Sequence, residues 1–152
     1  MSETEFSQHF ADELEKMILV EGPKAVGASI GEAVIGTGGL IPPPEGYWDA
    51  VQKVLSKYEV ILIADKVVCG FGRVGEPFVS HLYGLRLDLI PIAKGLTRVY
   101  LQLSRVIVGE RFWKVIERGS EELGPIGHGF TYSGHPLRAA AGLANLDILE
   151  RE

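Results

Sequence analysis

An α/β fold, with helices covering a mostly parallel sheet of about four short strands, is predicted by three features of this sequence. Segments with apolar residues at three- and four-residue intervals alternate with short β-branched runs, and glycine and proline punctuate the joins. No continuous apolar stretch approaches the roughly 18 residues of a membrane span. The chain has 152 residues, 46% apolar and 23% charged, the make-up of one globular domain large enough to bury a core. Collagen and intrinsic disorder are excluded by the same composition.

The first element is an amphipathic helix carrying Phe6, Phe10, Leu14, Met17, Ile18 and Val20, ended by Gly22-Pro23. Ser2 followed three residues later by Glu5 predicts a capping box at its start. Ala25 to Ile30 is a short apolar run without helical period, read as a buried strand leading into an irregular loop that contains Gly36-Thr37-Gly38-Gly39 and Pro42-Pro43-Pro44. Tyr47, Val51, Val54 and Leu55 resume helical spacing. Val60 to Ala64 is then a near-continuous β-branched run, the pattern of a strand buried on both faces. Leu87 to Ala93 and Val106 to Val108 read as two further strands, and Arg111 to Glu117 and Ala139 to Leu149 as helices. A sheet this small leaves edges that want a partner.

Nineteen glycines predict many turns and close backbone approaches, and such places often hold ligands. A net charge of −5 argues against an electrostatic grip on nucleic acid or on anionic lipid, so neither is an expected partner. One cysteine, Cys69, allows no internal disulfide, and the acidic start lacks the pattern of a secretion signal, so the expected compartment is the cytoplasm. Gly70-Phe71-Gly72-Arg73-Val74-Gly75 spells G-x-G-x-x-G, but Glu76-Pro77 follows where a dinucleotide fold would open a long helix. It reads as a glycine-rich turn. The four histidines lack a short ligand-pair motif, so no metal is expected. Ser133-Gly134-His135 suggests hydrolase chemistry without spelling G-x-S-x-G.

A more telling pair is Asp65 and Lys94, each at the end of an apolar strand, where ligands collect in α/β sheets. A lysine among apolar neighbours has its ammonium form disfavoured and its amine free to condense with a carbonyl. A nearby carboxylate can hold a pyridinium nitrogen protonated. These are the minimum parts of a pyridoxal phosphate site.

Three ordered runs carry a family resemblance. They are Ile63-Ala64-Asp65-Lys66-Val67-Val68-Cys69-Gly70-Phe71-Gly72-Arg73, then Ala93-Lys94-Gly95-Leu96-Thr97, then Gly129-Phe130-Thr131-Tyr132-Ser133-Gly134-His135-Pro136. Together with Glu32, the Gly36 to Gly39 run, Pro43-Pro44-Glu45-Gly46-Tyr47 and Ala144-Asn145-Leu146, the chain resembles the class III (omega) aminotransferases, fold-type I pyridoxal phosphate enzymes. The resemblance implies that the chain is the later part of the large cofactor-binding domain. It implies that Lys94 forms the internal aldimine with pyridoxal 5'-phosphate and shuttles the substrate proton. Asp65 would pair with the pyridine nitrogen, Val67 would pack on the ring, and Thr131 would reach the phosphate of a neighbouring subunit's cofactor. A homodimer or larger oligomer with shared sites follows, acting on a small-molecule amine or amino acid and a keto acid.

Several positions depart from the family pattern. Lys66 stands where the family usually has Glu, Ala33 where it has Pro, and Arg98, Val99, Gln102 and Arg105 where it prefers small residues and a proline. The family's upstream glycine-serine phosphate loop, its ring-stacking aromatic residue and its C-terminal small domain have no counterpart in these 152 residues. Two alternatives therefore stand beside amino-group transfer: a catalytically inactive, self-associating remnant of the cofactor domain, and a cofactor-independent hydrolase using Ser133, His135 or Lys94.

Overall fold

In the computed structural model, which describes residues 1–151, the chain opens with helix α1 (Glu3–Glu21). Its start is the predicted capping box: the Glu5 amide donates to Ser2 Oγ at 3.2 Å, and the Ser2 amide donates to Glu5 Oε2 at 2.7 Å. Strand β1 (Ala28–Glu32) follows, then the glycine and proline loop, then helix α2 (Tyr47–Lys57). Gly46 enters α2 with φ of 76°, a left-handed conformation that a side chain would strain.

Helices α1 and α2 pack on each other and are tied by side chains. Ser7 Oγ donates to the Glu45 carbonyl at 2.7 Å, and Lys57 Nζ and Tyr58 Oη both reach Glu15 Oε1 at 2.6 Å. Beneath them lies the core, built from Ala11, Ile18, Trp48, Val51, Val54, Leu55, Val60 and Leu62. Burying a side chain of this kind contributes roughly 1.5–3 kcal/mol. Trp48 keeps its indole N–H satisfied by donating to the Ala33 carbonyl at 3.1 Å.

Strands β2 (Ile61–Asp65), β3 (Leu89–Ile92) and β4 (Arg105–Val108) complete one sheet in the order β1-β2-β3-β4. The pairs β1/β2 and β2/β3 are parallel and β3/β4 is antiparallel, so the sheet is mostly parallel as predicted. Helices α3 (Glu110–Leu123) and α4 (Pro136–Arg151) close the chain, both longer than their apolar periodicity alone outlines. None of the helices described is long and apolar enough to cross a membrane.

Two readings of burial need correction. The run at Ala25 to Ile30 was expected to be a buried strand; instead β1 occupies 28–32 at the sheet edge, and Ile30 is 68% exposed. A short apolar run carries no periodicity that distinguishes an edge from a centre. Nor is β2 equally buried on both faces: Leu62 and Ala64 are buried and Ile61, Ile63 and Asp65 only half-buried, the alternation of a strand with one face on the core.

Lys66 continues the buried side of that alternation and is fully enclosed, with an exposure of 0%. Its Nζ has no hydrogen-bond partner among the described residues. Burial pulls the amine from its ordinary 10.5 down to about 8, against the opposing pull of Cys69 and Asp65. The unfolded chain thus binds more protons than the folded one between about 8 and 10.5, and stability rises with pH across that window. We expect Lys66→Met to stabilise the chain at pH 7 by on the order of 2 kcal/mol and to flatten this rise. Urea unfolding at pH 7 and pH 10 checks it; an equal slope in both proteins would show that the amine finds a partner or water.

Candidate active site

Parallel pairing of β2 with β3 sets the carboxyl ends of the two strands side by side. The Lys66 amide donates to the Pro91 carbonyl at 3.0 Å and carries the pairing past the end of β2. Asp65 therefore ends one strand and Lys94 follows the next, as the sequence predicts. Asp65 is half-buried, and its Oδ1 accepts from the Val67 amide at 2.8 Å in a local turn. Its Oδ2 has no partner among the described residues. Val67 is half-buried beside it.

Lys94 begins one short 3-10 turn (Lys94–Leu96) with its own φ at 37°. Its side chain is exposed, and its amine makes no ion pair or hydrogen bond among the described residues. The turn is gripped from two sides. A Cβ on Gly95 would stand 3.0 Å from Phe71 Cδ2, so only glycine lets the aromatic ring lie against the backbone there. From the other side Asn145 Nδ2 donates to the carbonyls of Gly95 and Leu96 at 2.8 and 3.2 Å. Thr97 is buried, and its hydroxyl donates to the Leu101 carbonyl at 2.6 Å.

Lys94 lines an open cavity of about 820 Å³ whose other walls are the segment from Thr97 to Arg105 and the loop before α4. Thr131, exposed on that loop, lines the same cavity, and so do Ser133, His135 and Arg138. Asp65 and Val67 do not. The cavity wall carries Lys94, Arg105 and Arg138 and no carboxylate, which suits an anion. Arg98 is exposed and lies outside the lining, so it does not block the space.

The hydrolase candidates are not arranged for acyl transfer. Ser133 Oγ accepts from the Phe130 amide at 3.0 Å and closes a turn, while His135 Nδ1 is buried without a partner. No hydrogen bond joins the two among the described residues, so Ser133 lacks the adjacent base that would activate it. Cys69 is buried, its thiol donating weakly to the Val34 carbonyl at 3.5 Å. Burial, then the Glu32 carboxylate, pushes that thiol up and away from the reactive form. Gly70 to Gly75 forms turns with no helix opening on them, as expected of a glycine-rich turn.

Sequence reasoning did not single out Arg138, and it placed Asn145 only in the family run Ala144-Asn145-Leu146, with no role as a clamp. A polar amide inside the apolar segment Ala139 to Leu149 was the available signal for the clamp. Asp88 follows the glycine run Gly70 to Gly75 and holds a structural node. Its Oδ2 accepts from the Leu62 amide at 3.0 Å and its Oδ1 from Arg111 Nη2 at 2.8 Å, which ties the end of the connection before β3 to both β2 and α3.

The family whose description is Aminotransferase class-III matches residues 1–152. The diaminobutyrate–2-oxoglutarate transaminase of Halomonas elongata is 66% identical over the whole chain, which covers 32% of that protein. The putrescine–pyruvate aminotransferase of Pseudomonas aeruginosa is 47% identical over the whole chain, again covering 32% of its length. Among solved structures, a transaminase from directed evolution by ancestral reconstruction superposes with a TM-score of 0.97 at 69% identity, over 99% of this chain and 33% of that one. The omega transaminase of Pseudomonas jessenii in complex with PMP gives 0.96 at 43% identity, over 99% of this chain and 33% of that one. The chain thus spans about a third of the length of the relatives it matches.

Beyond the turn, Arg98 and Val99 adopt φ of 51° and 69°. A β-branched residue in the left-handed region is strained, and this one is exposed, with little packing in return. Val99→Gly should therefore raise stability by about 1 kcal/mol. Thermal melting of the two proteins checks this; a lower Tm in the glycine variant would show that packing around Val99 outweighs its backbone strain.

Proposed function

The chain belongs to the class III aminotransferases, and on that premise we propose that it holds pyridoxal 5'-phosphate through Lys94 and moves an amino group between a small amine and a keto acid. Amino-group transfer is the chemistry of the family, and its cofactor is implied by membership. The observation that carries the reading to these residues is the placement of Lys94: a free amine at the end of β3, on a cationic cavity, one strand from the half-free carboxylate of Asp65.

The residues present suit that cofactor. Asp65 has one oxygen committed to its own turn and the other able to accept from a protonated ring nitrogen. Val67, half-buried two residues on, offers an apolar surface to a ring face. The bound cofactor supplies an electron sink for negative charge at the carbon that loses its proton. Lys94 is the group that takes and returns that proton, and its exposed amine is free to do so. Arg105 and Arg138 offer positive charge to the carboxylate of a keto acid or to a phosphate.

Thr131 serves the cofactor of a second copy of the chain in this reading. Unpartnered apolar surface supports association: α3 buries none of its residues, and Trp113, Val115, Val106 and Tyr132 are exposed. The same surface is what favours the alternative, a self-associating chain without turnover. Diaminobutyrate and putrescine, named for two relatives, both end in a primary amine and are the donors to offer first.

A spectral titration with pyridoxal phosphate, followed by borohydride reduction and peptide mapping, separates the readings. We expect one saturable band and a label on Lys94 that Lys94→Ala abolishes. Label scattered over exposed lysines, unchanged by that substitution, would leave the self-associating remnant.

A further inference from the structure

We propose that Asn145 is a positioning residue: from α4 it clamps the backbone that carries Lys94 and so sets where the Lys94 amine stands. Its meaning for catalysis rests on the reading of Lys94 as the cofactor lysine; the clamp itself does not.

Lys94 has a left-handed φ of 37°, a conformation that a non-glycine residue keeps only when its surroundings over-determine it. The backbone just beyond Lys94 is where that determination acts. Asn145 spends both hydrogens of one planar amide on consecutive carbonyls, those of Gly95 and Leu96, at 2.8 and 3.2 Å. Both partners are oxygens, so only the Nδ2 end of the side chain can face them. Two donors fixed in one plane set the orientation of the peptide unit between these carbonyls, which a single donor would leave free to rotate.

The contact is close, with Asn145 and Leu96 buried and Gly95 half-buried. Asn145 is 8% exposed and Leu96 5%, so water cannot readily replace the lost donors. Gly142, three residues earlier on the same face of α4, packs under Leu103: a Cβ there would stand 3.1 Å from Leu103 Cδ2 and 4.0 Å from the Leu96 carbonyl oxygen. Phe71 presses the opposite side of Gly95. The turn is thus held between an aromatic ring that bears on it and an amide that orients it. Lys94 contributes no hydrogen bond of its own side chain to this arrangement among the described residues, so what the backbone sets is the point and direction from which the side chain leaves the turn.

The test compares the parent chain with Asn145→Ala, Asn145→Ser and Val54→Ala. Val54 lies in the core under α2, and its truncation destabilises the fold without touching the turn. Two readouts are taken. One is competitive acetylation of Lys94 across pH, read by peptide mass mapping against Lys53, and it needs no cofactor. The other is the dissociation constant for pyridoxal phosphate. We expect Asn145→Ala to change both by about tenfold, Asn145→Ser, whose hydroxyl is one bond too short to reach the carbonyls, to behave as Asn145→Ala does, and Val54→Ala to lower Tm and change neither. If the Asn145 variants lower Tm as Val54→Ala does while Lys94 keeps its acetylation profile, the proposal is overturned. If Lys94 acetylation depends on Asn145 but pyridoxal phosphate never labels Lys94 in the parent chain, the clamp stands and the proposed function falls.

Discussion

Strand β2, held between two parallel neighbours, is the constraint on which the rest of the structure depends. Its register with β1 runs from Ala28 opposite Ile61 to Glu32 opposite Asp65, and its contact with β3 is carried past the strand end by the Lys66 amide on the Pro91 carbonyl. Asp88 grips the same strand twice: its amide donates to the Leu62 carbonyl at 3.2 Å while its carboxylate accepts from the Leu62 amide. Arg111 completes that node, and the Gly109 amide donates to the Asp88 carbonyl at 2.7 Å. A shift of β2 by one residue would turn Asp65 into the core and Leu62 out of it. The position of the carboxylate, the start of β3 and the approach of α3 all descend from this one register.

Local rules are broken along a short arc beside that register. Lys66 is enclosed without a partner among the described residues, and Phe71, Lys94, Arg98 and Val99 all have positive φ. Sequences that specify one fold usually keep such conflicts for places where geometry serves something other than stability. At Lys94 the strained turn also carries the exposed amine. At Arg98 and Val99 nothing in the structure explains the choice of residue.

Much of the fold is legible in the sequence because it is written in local terms. The capping box of Ser2 and Glu5, the helical period of Tyr47, Val51, Val54 and Leu55, and the β-branched run ending at Ala64 each appear where the residues place them. What local reading misses is position within the sheet: the run before Glu32 has the apolarity of a central strand and lies at an edge. The site divides the same way. Lys94 and Asp65 are candidates because they stand at strand ends, and Thr131 is a candidate through the family resemblance. Arg138 and Asn145 become meaningful only once α4 is laid against the lysine turn, a contact between residues 50 positions apart whose helical phase no short window reveals.

That separation also has a direction in time. The lysine turn is made before the helix that orients it, and at about 5–20 residues per second the ribosome needs roughly 3–10 s to add the intervening segment. During that interval Phe71 is already present to press on Gly95, but the carbonyls of Gly95 and Leu96 have no amide to receive them. The core under α1 and α2 draws only on residues up to Leu87 and can consolidate first. Completion of the turn therefore waits on the arrival of α4 rather than on the residues around Lys94.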